Sequence, residues 1–437
     1  MSDLKQVARE IFQETLAGID IPLAMRQKLG RAGTRLDFEG EAIDLAAYEH
    51  IVAIAIGKAS VAMARGFAEL LATDFAFEGI LVAPQESVAE VRGFRVLGAA
   101  HPIPDERSIA AARAIIDLLS HCDSHTLIFF LLSGGGSSLV ELPLDPSIGL
   151  EDLQELNRLL VSCGASIAEI NAVRKHLSAV KGGRLAALAA DSMKLSLGIT
   201  DVPPGCESAL ASGPTLPDPT TVGEACGAIE KYDLGSRLPA SVRAKFARPE
   251  SIPETPKAGD AAFARARFSL LLGMHDLFHH AHQAAEARGF ITECDNATDD
   301  WPVARASEYL LGQLERLARE NRGRRVALIA DGEVSSPVHG NGMGGRNAAF
   351  VLECVERIAG SGIAVLSAGT DGQDGSSPAA GAAADGKSLQ RALAANLVPK
   401  EFAARSDSYN FFHKLGDAVK TGPTGNNLRD LRILLAE

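Results

Sequence analysis

Two stretches decide the fold: His50-Ile51-Val52-Ala53-Ile54-Ala55-Ile56-Gly57-Lys58-Ala59-Ser60 and Thr126-Leu127-Ile128-Phe129-Phe130-Leu131-Leu132-Ser133-Gly134-Gly135-Gly136-Ser137-Ser138. Each is a short, almost wholly apolar run that breaks off at glycine. A strand without polar alternation is buried on both faces, which is the condition of a parallel sheet covered by helices. Working outward, 79–83, 95–99 and 194–199 read as further strands. Residues 60–71, 108–120, 150–163 and 167–180 read as the helices between them. The same alternation resumes later, with strands expected at 268–272, 325–330 and 363–368. Helices are expected up to about 288 and over 303–320. Between the two series lies Arg248-Pro249-Glu250-Ser251-Ile252-Pro253-Glu254-Thr255-Pro256-Lys257-Ala258-Gly259-Asp260, polar and proline-bearing, which reads as a linker. The expectation is an N-terminal domain over 1–247, a linker over 248–260 and a C-terminal domain over 261–437.

The chain is long enough for two cores: 437 residues, of which 46% are hydrophobic and 22% charged. A net charge of −12 argues against a nucleic-acid binder, which needs a basic stripe. The six cysteines form no Cys-x-x-Cys pair, as expected of reduced thiols in a cytoplasmic protein. The start, MSDLKQVAREIFQETL, reads as an amphipathic helix, not a signal peptide, and no stretch is apolar enough for a membrane span.

In open α/β sheets ligands bind beyond the carboxyl ends of the strands, where helix N-termini favour anions. Several glycine-bearing loops occupy that place. Gly57-Lys58-Ala59-Ser60 fails as a P-loop, because position 52 is Val and Ala59 stands where Ser or Thr is required. Lys58 is still placed to neutralise a phosphate or carboxylate, against the plainer reading of a solvated lysine. Ser133, Gly134, Gly135, Gly136 and Ser137 could bring backbone amides close to an anion, or form a tight turn. In Gly340-Asn341-Gly342-Met343-Gly344-Gly345-Arg346-Asn347 the residues Asn341, Gly342, Gly344 and Gly345 could wrap phosphates, and Arg346 could pair with their oxygens. The poor strand before this loop counts against a dinucleotide fingerprint. Asp371 and Asp374, with Asp201, could hold Mg²⁺ or merely shape turns. His101, between a strand and a helix, could contact a ligand or be structural. His275-Asp276-Leu277-Phe278-His279 imitates a zinc-protease motif with Asp in place of Glu, and reads as a polar helix.

Taken in order, Gly57-Lys58-Ala59-Ser60, His101-Pro102-Ile103-Pro104-Asp105, Leu132-Ser133-Gly134-Gly135-Gly136-Ser137, Asn171-Ala172-Val173-Arg174-Lys175-His176, Lys181-Gly182-Gly183-Arg184-Leu185, Thr200-Asp201-Val202-Pro203, Ser212-Gly213-Pro214-Thr215, Gly344-Gly345-Arg346-Asn347 and Thr421-Gly422-Pro423-Thr424-Gly425 resemble the glycerate 2-kinase family over almost the whole chain. The resemblance implies a Rossmann-like parallel-sheet N-terminal domain, a smaller α/β C-terminal domain, and an active site in the cleft between them. It implies transfer of the γ-phosphate of ATP to the 2-hydroxyl of D-glycerate with Mg²⁺. Lys58 and Arg346 match its basic positions; Lys58, Arg346 and Asp201 are the expected catalytic residues, and Asp201 and Asp371 the expected metal ligands. Ser376-Ser377-Pro378 departs from the family's usual Pro-Thr-Asp, so a related hydroxy acid stays open as substrate. The competing readings are an NAD(P)H-dependent hydroxypyruvate reductase and a non-catalytic carboxylate-binding protein. The expected partners are small molecules, with no nucleic acid or membrane, for a cytoplasmic monomer or homodimer.

Overall fold

The computed structural model describes residues 3–72, 74–200, 202, 205–426 and 428–437. They fold as two compact units, Ile21–Leu271 on the one hand, and the segment through Asp20 together with Leu272–Glu437 on the other.

The first unit opens with a small antiparallel sheet of β1 (Arg31–Ala32), β2 (Arg35–Phe38) and β3 (Glu41–Asp44). Its main sheet holds β4 (His50–Ile56), β5 (Glu78–Pro84), β6 (Phe94–Ala99), β7 (Thr126–Ser133), β8 (Met193–Ile199) and β9 (Ala266–Leu272). The order is β6-β5-β4-β7-β8-β9, and the pairs from β6 through β8 are all parallel. The chain thus builds outward from β4 in one direction and from β7 in the other, which is the Rossmann order. The apolar runs explain it: β7 is buried at every position and β4 at all but His50. One face packs Val52, Ile54, Ile128, Phe130 and Leu132 against Ala111, Ala112, Ile115 and Leu119 of the helix Glu106–Ser120. Each large side chain so buried contributes about 2 kcal/mol. A separate helical cluster gathers around Leu156, Leu160, Val173, Ile229 and Val242.

The expected linker is corrected by its partners. Thr255 is buried and donates to Asp218 at 2.9 Å, Glu254 accepts from the Val222 amide at 2.9 Å, and the Pro256 carbonyl accepts from the Asp218 amide at 3.0 Å. Residues 248–260 are therefore fastened to the first unit, and β9 beyond them completes its sheet. The division falls after Leu271, not within 248–260. Polarity and proline mark an exposed, irregular segment but not what it is tied to.

The second sheet is mixed: β10 (Ile291–Asp295), β11 (Val326–Asp331), β12 (Ile363–Gly369), β13 (Gly381–Asp385), β14 (Ala418–Val419) and β15 (Asp430–Ala436), in the order β10-β11-β15-β12-β13-β14. The C-terminal strand β15 lies in the middle, antiparallel to both β11 and β12. Because it runs backwards, its first residue, Asp430, sits opposite Gly369 at the carboxyl end of β12. The helix Leu4–Gly18 belongs to this unit: Leu4, Ala8, Ile11, Phe12 and Thr15 are buried on one stripe, and the Lys5 ammonium lies 2.8 Å from Asp417. No helix among the described residues is long and apolar enough to cross a membrane.

Candidate active site

The strand order reverses between β4 and β7, the place where open α/β sheets bind ligands beyond the carboxyl ends of their strands, and both leading glycine loops follow these two strands. The Lys58 amide donates to the Gly134 carbonyl at 2.9 Å, and the Ala59 amide to the Ser133 hydroxyl at 3.0 Å. These bonds lace the loops together and commit the buried Ser133 to structure. Gly135 is left-handed, at φ 83°, and a Cβ there would stand 3.1 Å from Lys58 Cγ and 3.2 Å from His101 Nε2. The glycine therefore lets the Lys58 and His101 side chains meet above it. Gly136 begins a one-turn helix, Gly136–Leu139. Lys58 is half-buried, and its ammonium has no hydrogen-bond or ion-pair partner among the described residues.

The loop is braced from a strained segment. Ala211 and Ser212 are left-handed (φ 50° and 61°), a conformation that costs about 1 kcal/mol or more for a non-glycine residue. The Ser212 hydroxyl lies 2.7 Å from that of Ser137 and donates to Asn171 at 3.2 Å. Nothing local in the sequence announces this bracing. The basic residues of the neighbouring motifs are structural. Buried Lys175 pairs with Asp218 at 3.0 Å, and buried Lys181 pairs with Glu141, which also accepts from Ser178 at 2.6 Å. Asp201 lies outside the described residues.

In the second unit Arg346 opens the helix Arg346–Arg357 and is held by two carboxylates. Its Nε is 2.5 Å from Asp430 and its terminal nitrogen 2.6 Å from Glu333. Asp430 and Glu333 escaped the sequence reading; a strand running backwards into the sheet is what delivers Asp430. The neighbouring glycines turn out to serve packing. The Gly342 amide donates to the Arg405 carbonyl at 3.0 Å, the Met343 amide to Asp407 at 2.9 Å, and the Gly344 amide to Ser376 at 3.3 Å. A Cβ on Gly345 would collide with Asp374. The expected phosphate-wrapping amides at Gly342 and Gly344 are thus spent within the protein, and Asn341 is exposed at the crest of the loop. Asp371 is half-buried in the turn after β12, accepting from the Gln373 amide at 3.0 Å.

Asp374 takes the place an anion would occupy at the start of the Arg346 helix, accepting from the amides of Asn347 at 2.9 Å and Ala348 at 2.8 Å. Burial pushes its carboxyl up to about 6, although those amides pull the other way. The folded carboxyl keeps its proton to higher pH than an unfolded one. The stability it adds is therefore complete below the ordinary value of 3.8 and is lost as pH rises through about 6. Relative to Asp374→Asn, the wild type should lose about 3 kcal/mol of unfolding free energy between roughly pH 4 and pH 8. Denaturant titrations of both proteins across that range check it, and a pH-independent difference would refute it.

Residues 7–247 match the model of a domain of unknown function (DUF4147), and residues 326–430 match the MOFRL family. The chain belongs to the glycerate 2-kinase family. It is 32% identical to a D-glycerate 2-kinase of Thermotoga maritima over 433 residues, covering 98% of each chain. It is 30% identical to a glycerate 2-kinase of Pyrococcus horikoshii over 439 residues, covering 99% of this chain and 97% of that one. An Agrobacterium vitis relative, 35% identical over 99% of this chain and 94% of its own, bears a hydroxypyruvate reductase name. The crystal structure of a Thermotoga maritima glycerate kinase superimposes with a TM-score of 0.85 at 32% identity, over 99% of both chains.

Proposed function

We propose that this protein transfers the γ-phosphate of ATP to the 2-hydroxyl of D-glycerate, giving 2-phosphoglycerate and ADP. The observation that carries the reading is the uncommitted Lys58 ammonium at the reversal point of the Rossmann-type sheet. Phosphoryl transfer asks a protein chiefly for positioning and charge neutralisation. Lys58 supplies a point charge, and the Gly134-to-Gly136 backbone allows close approach of an anion. Arg346 keeps more N–H donors than its bonds to Glu333 and Asp430 use, and these can face a phosphate or carboxylate oxygen. Asp201 or Asp371 would hold Mg²⁺, which would neutralise charge on the ATP oxygens. A half-buried turn carboxylate such as Asp371 fits, because Mg²⁺ takes one or two carboxylates beside phosphate oxygens and water.

The test is ADP release from MgATP with D-glycerate, coupled to enolase without a phosphoglycerate mutase, so that only the 2-phosphate is consumed. Phosphoenolpyruvate should appear at the rate of ADP. ADP without phosphoenolpyruvate would move the reaction to another hydroxyl or acid. NADH oxidation with hydroxypyruvate, in place of ADP release, would overturn the kinase reading in favour of the reductase.

A further inference from the structure

We propose that His101 is the base that takes the proton from the acceptor hydroxyl, a role that rests on the phosphotransfer reading of the Lys58 site. The residue follows β6 and its ring borders Gly135 from one side while Lys58 borders it from the other. His101 is exposed, and neither ring nitrogen has a hydrogen-bond partner among the described residues, so both are open to a substrate, whereas the buried His176 is held at both nitrogens, 2.7 Å from the Ala172 carbonyl and 3.2 Å from Glu254. The Asp105 side chain, four residues on, is spent capping the helix Glu106–Ser120 and pairing with Arg107.

The electrostatics suit the role. The residue as a whole is exposed, but desolvation of the ring by the surrounding protein and the charge of Lys58, from the turn after β4, hold the imidazole below its usual pKa, with Glu86, from the turn after β5, opposing. The ring is therefore neutral at physiological pH, with one nitrogen able to accept. In the step, the acceptor oxygen bonds to the γ-phosphorus as the bridging bond to ADP breaks. The hydroxyl proton passes to the imidazole and then to solvent. Lys58 keeps the base unprotonated and neutralises the phosphate, so the two side chains act as a pair.

The test compares wild type, His101→Gln and His101→Ala in steady-state ADP release with MgATP and D-glycerate over roughly pH 5–9, with imidazole added to the Ala variant. Turnover should fall about 100-fold with little change in KM for glycerate. The acid limb of the wild-type kcat profile should vanish in both variants, and imidazole should restore about tenfold to His101→Ala. A merely structural histidine would give neither the lost limb nor the rescue. An active wild type whose variants keep the acid limb, or stay within about threefold of it, overturns the inference and leaves the kinase reading standing. A wild type that releases no ADP sinks both. Should His101→Ala fail to fold, the pH profile of His101→Gln decides.

Discussion

Lys58→Met should lower kcat/KM for D-glycerate by about 10³-fold, some 4 kcal/mol of transition-state stabilisation, while leaving the unfolding midpoint nearly unchanged. The reasoning is that the ammonium satisfies nothing in the protein. It has no partner among the described residues, while the Lys58 backbone does the structural work by donating to Gly134. Methionine keeps the stem that lies against Gly135 and removes only the charge. Lysines at Lys175 and Lys181 make the contrast, since each is buried against a carboxylate and its loss should show first in stability. If Lys58→Met turned over within about tenfold of wild type, the loops after β4 and β7 would not be where phosphate charge is met.

Arg346→Ala should cost both activity and stability, and the two losses can be separated. Its side chain is about one-third exposed, but Asp430 beneath it is almost fully buried and would be stranded. Breaking such a half-buried pair costs about 2 kcal/mol, less than a wholly buried one because solvent reaches the arginine side. Turnover should fall about 10³-fold if the guanidinium also meets substrate charge. In Arg346→Ala/Asp430→Asn the stranded carboxylate is gone, so the unfolding midpoint should recover while turnover stays low. Recovery of turnover in the double variant would mean that Arg346 acts only by balancing Asp430. Arg346→Lys should fall between, because an ammonium cannot reach Asp430 and Glu333 with the same planar fork.

Local pattern carried much of the first unit. The runs ending at Ile56, Leu132 and Ile199 became β4, β7 and β8, because a strand buried on both faces writes itself as an unbroken apolar run. Lys58 could be singled out for the same reason: it is the first cation after such a run, at a place where parallel sheets bind ligands. The glycines of 340–345 could be read two ways. Glycine marks close approach, but the sequence does not say whether to a ligand or to the chain itself, and here Arg405, Asp407 and Asp374 take the space.

Residue order along the chain, then, was enough for the Rossmann-type half, its glycine turns and its family, since strand periodicity and motif spacing are local properties. Where non-local pairing rules, it was silent. β15 enters the second sheet from the C-terminus, runs against β11 and β12, and brings Asp430 to Arg346, 84 residues away in sequence. The left-handed Ser212 reaches back 75 residues to brace Ser137, and Thr255 ties the expected linker to Asp218. Each of these depends on which backbone atoms come within a few ångströms after folding. A hydrogen bond is decided by that distance, not by the residues on either side of it.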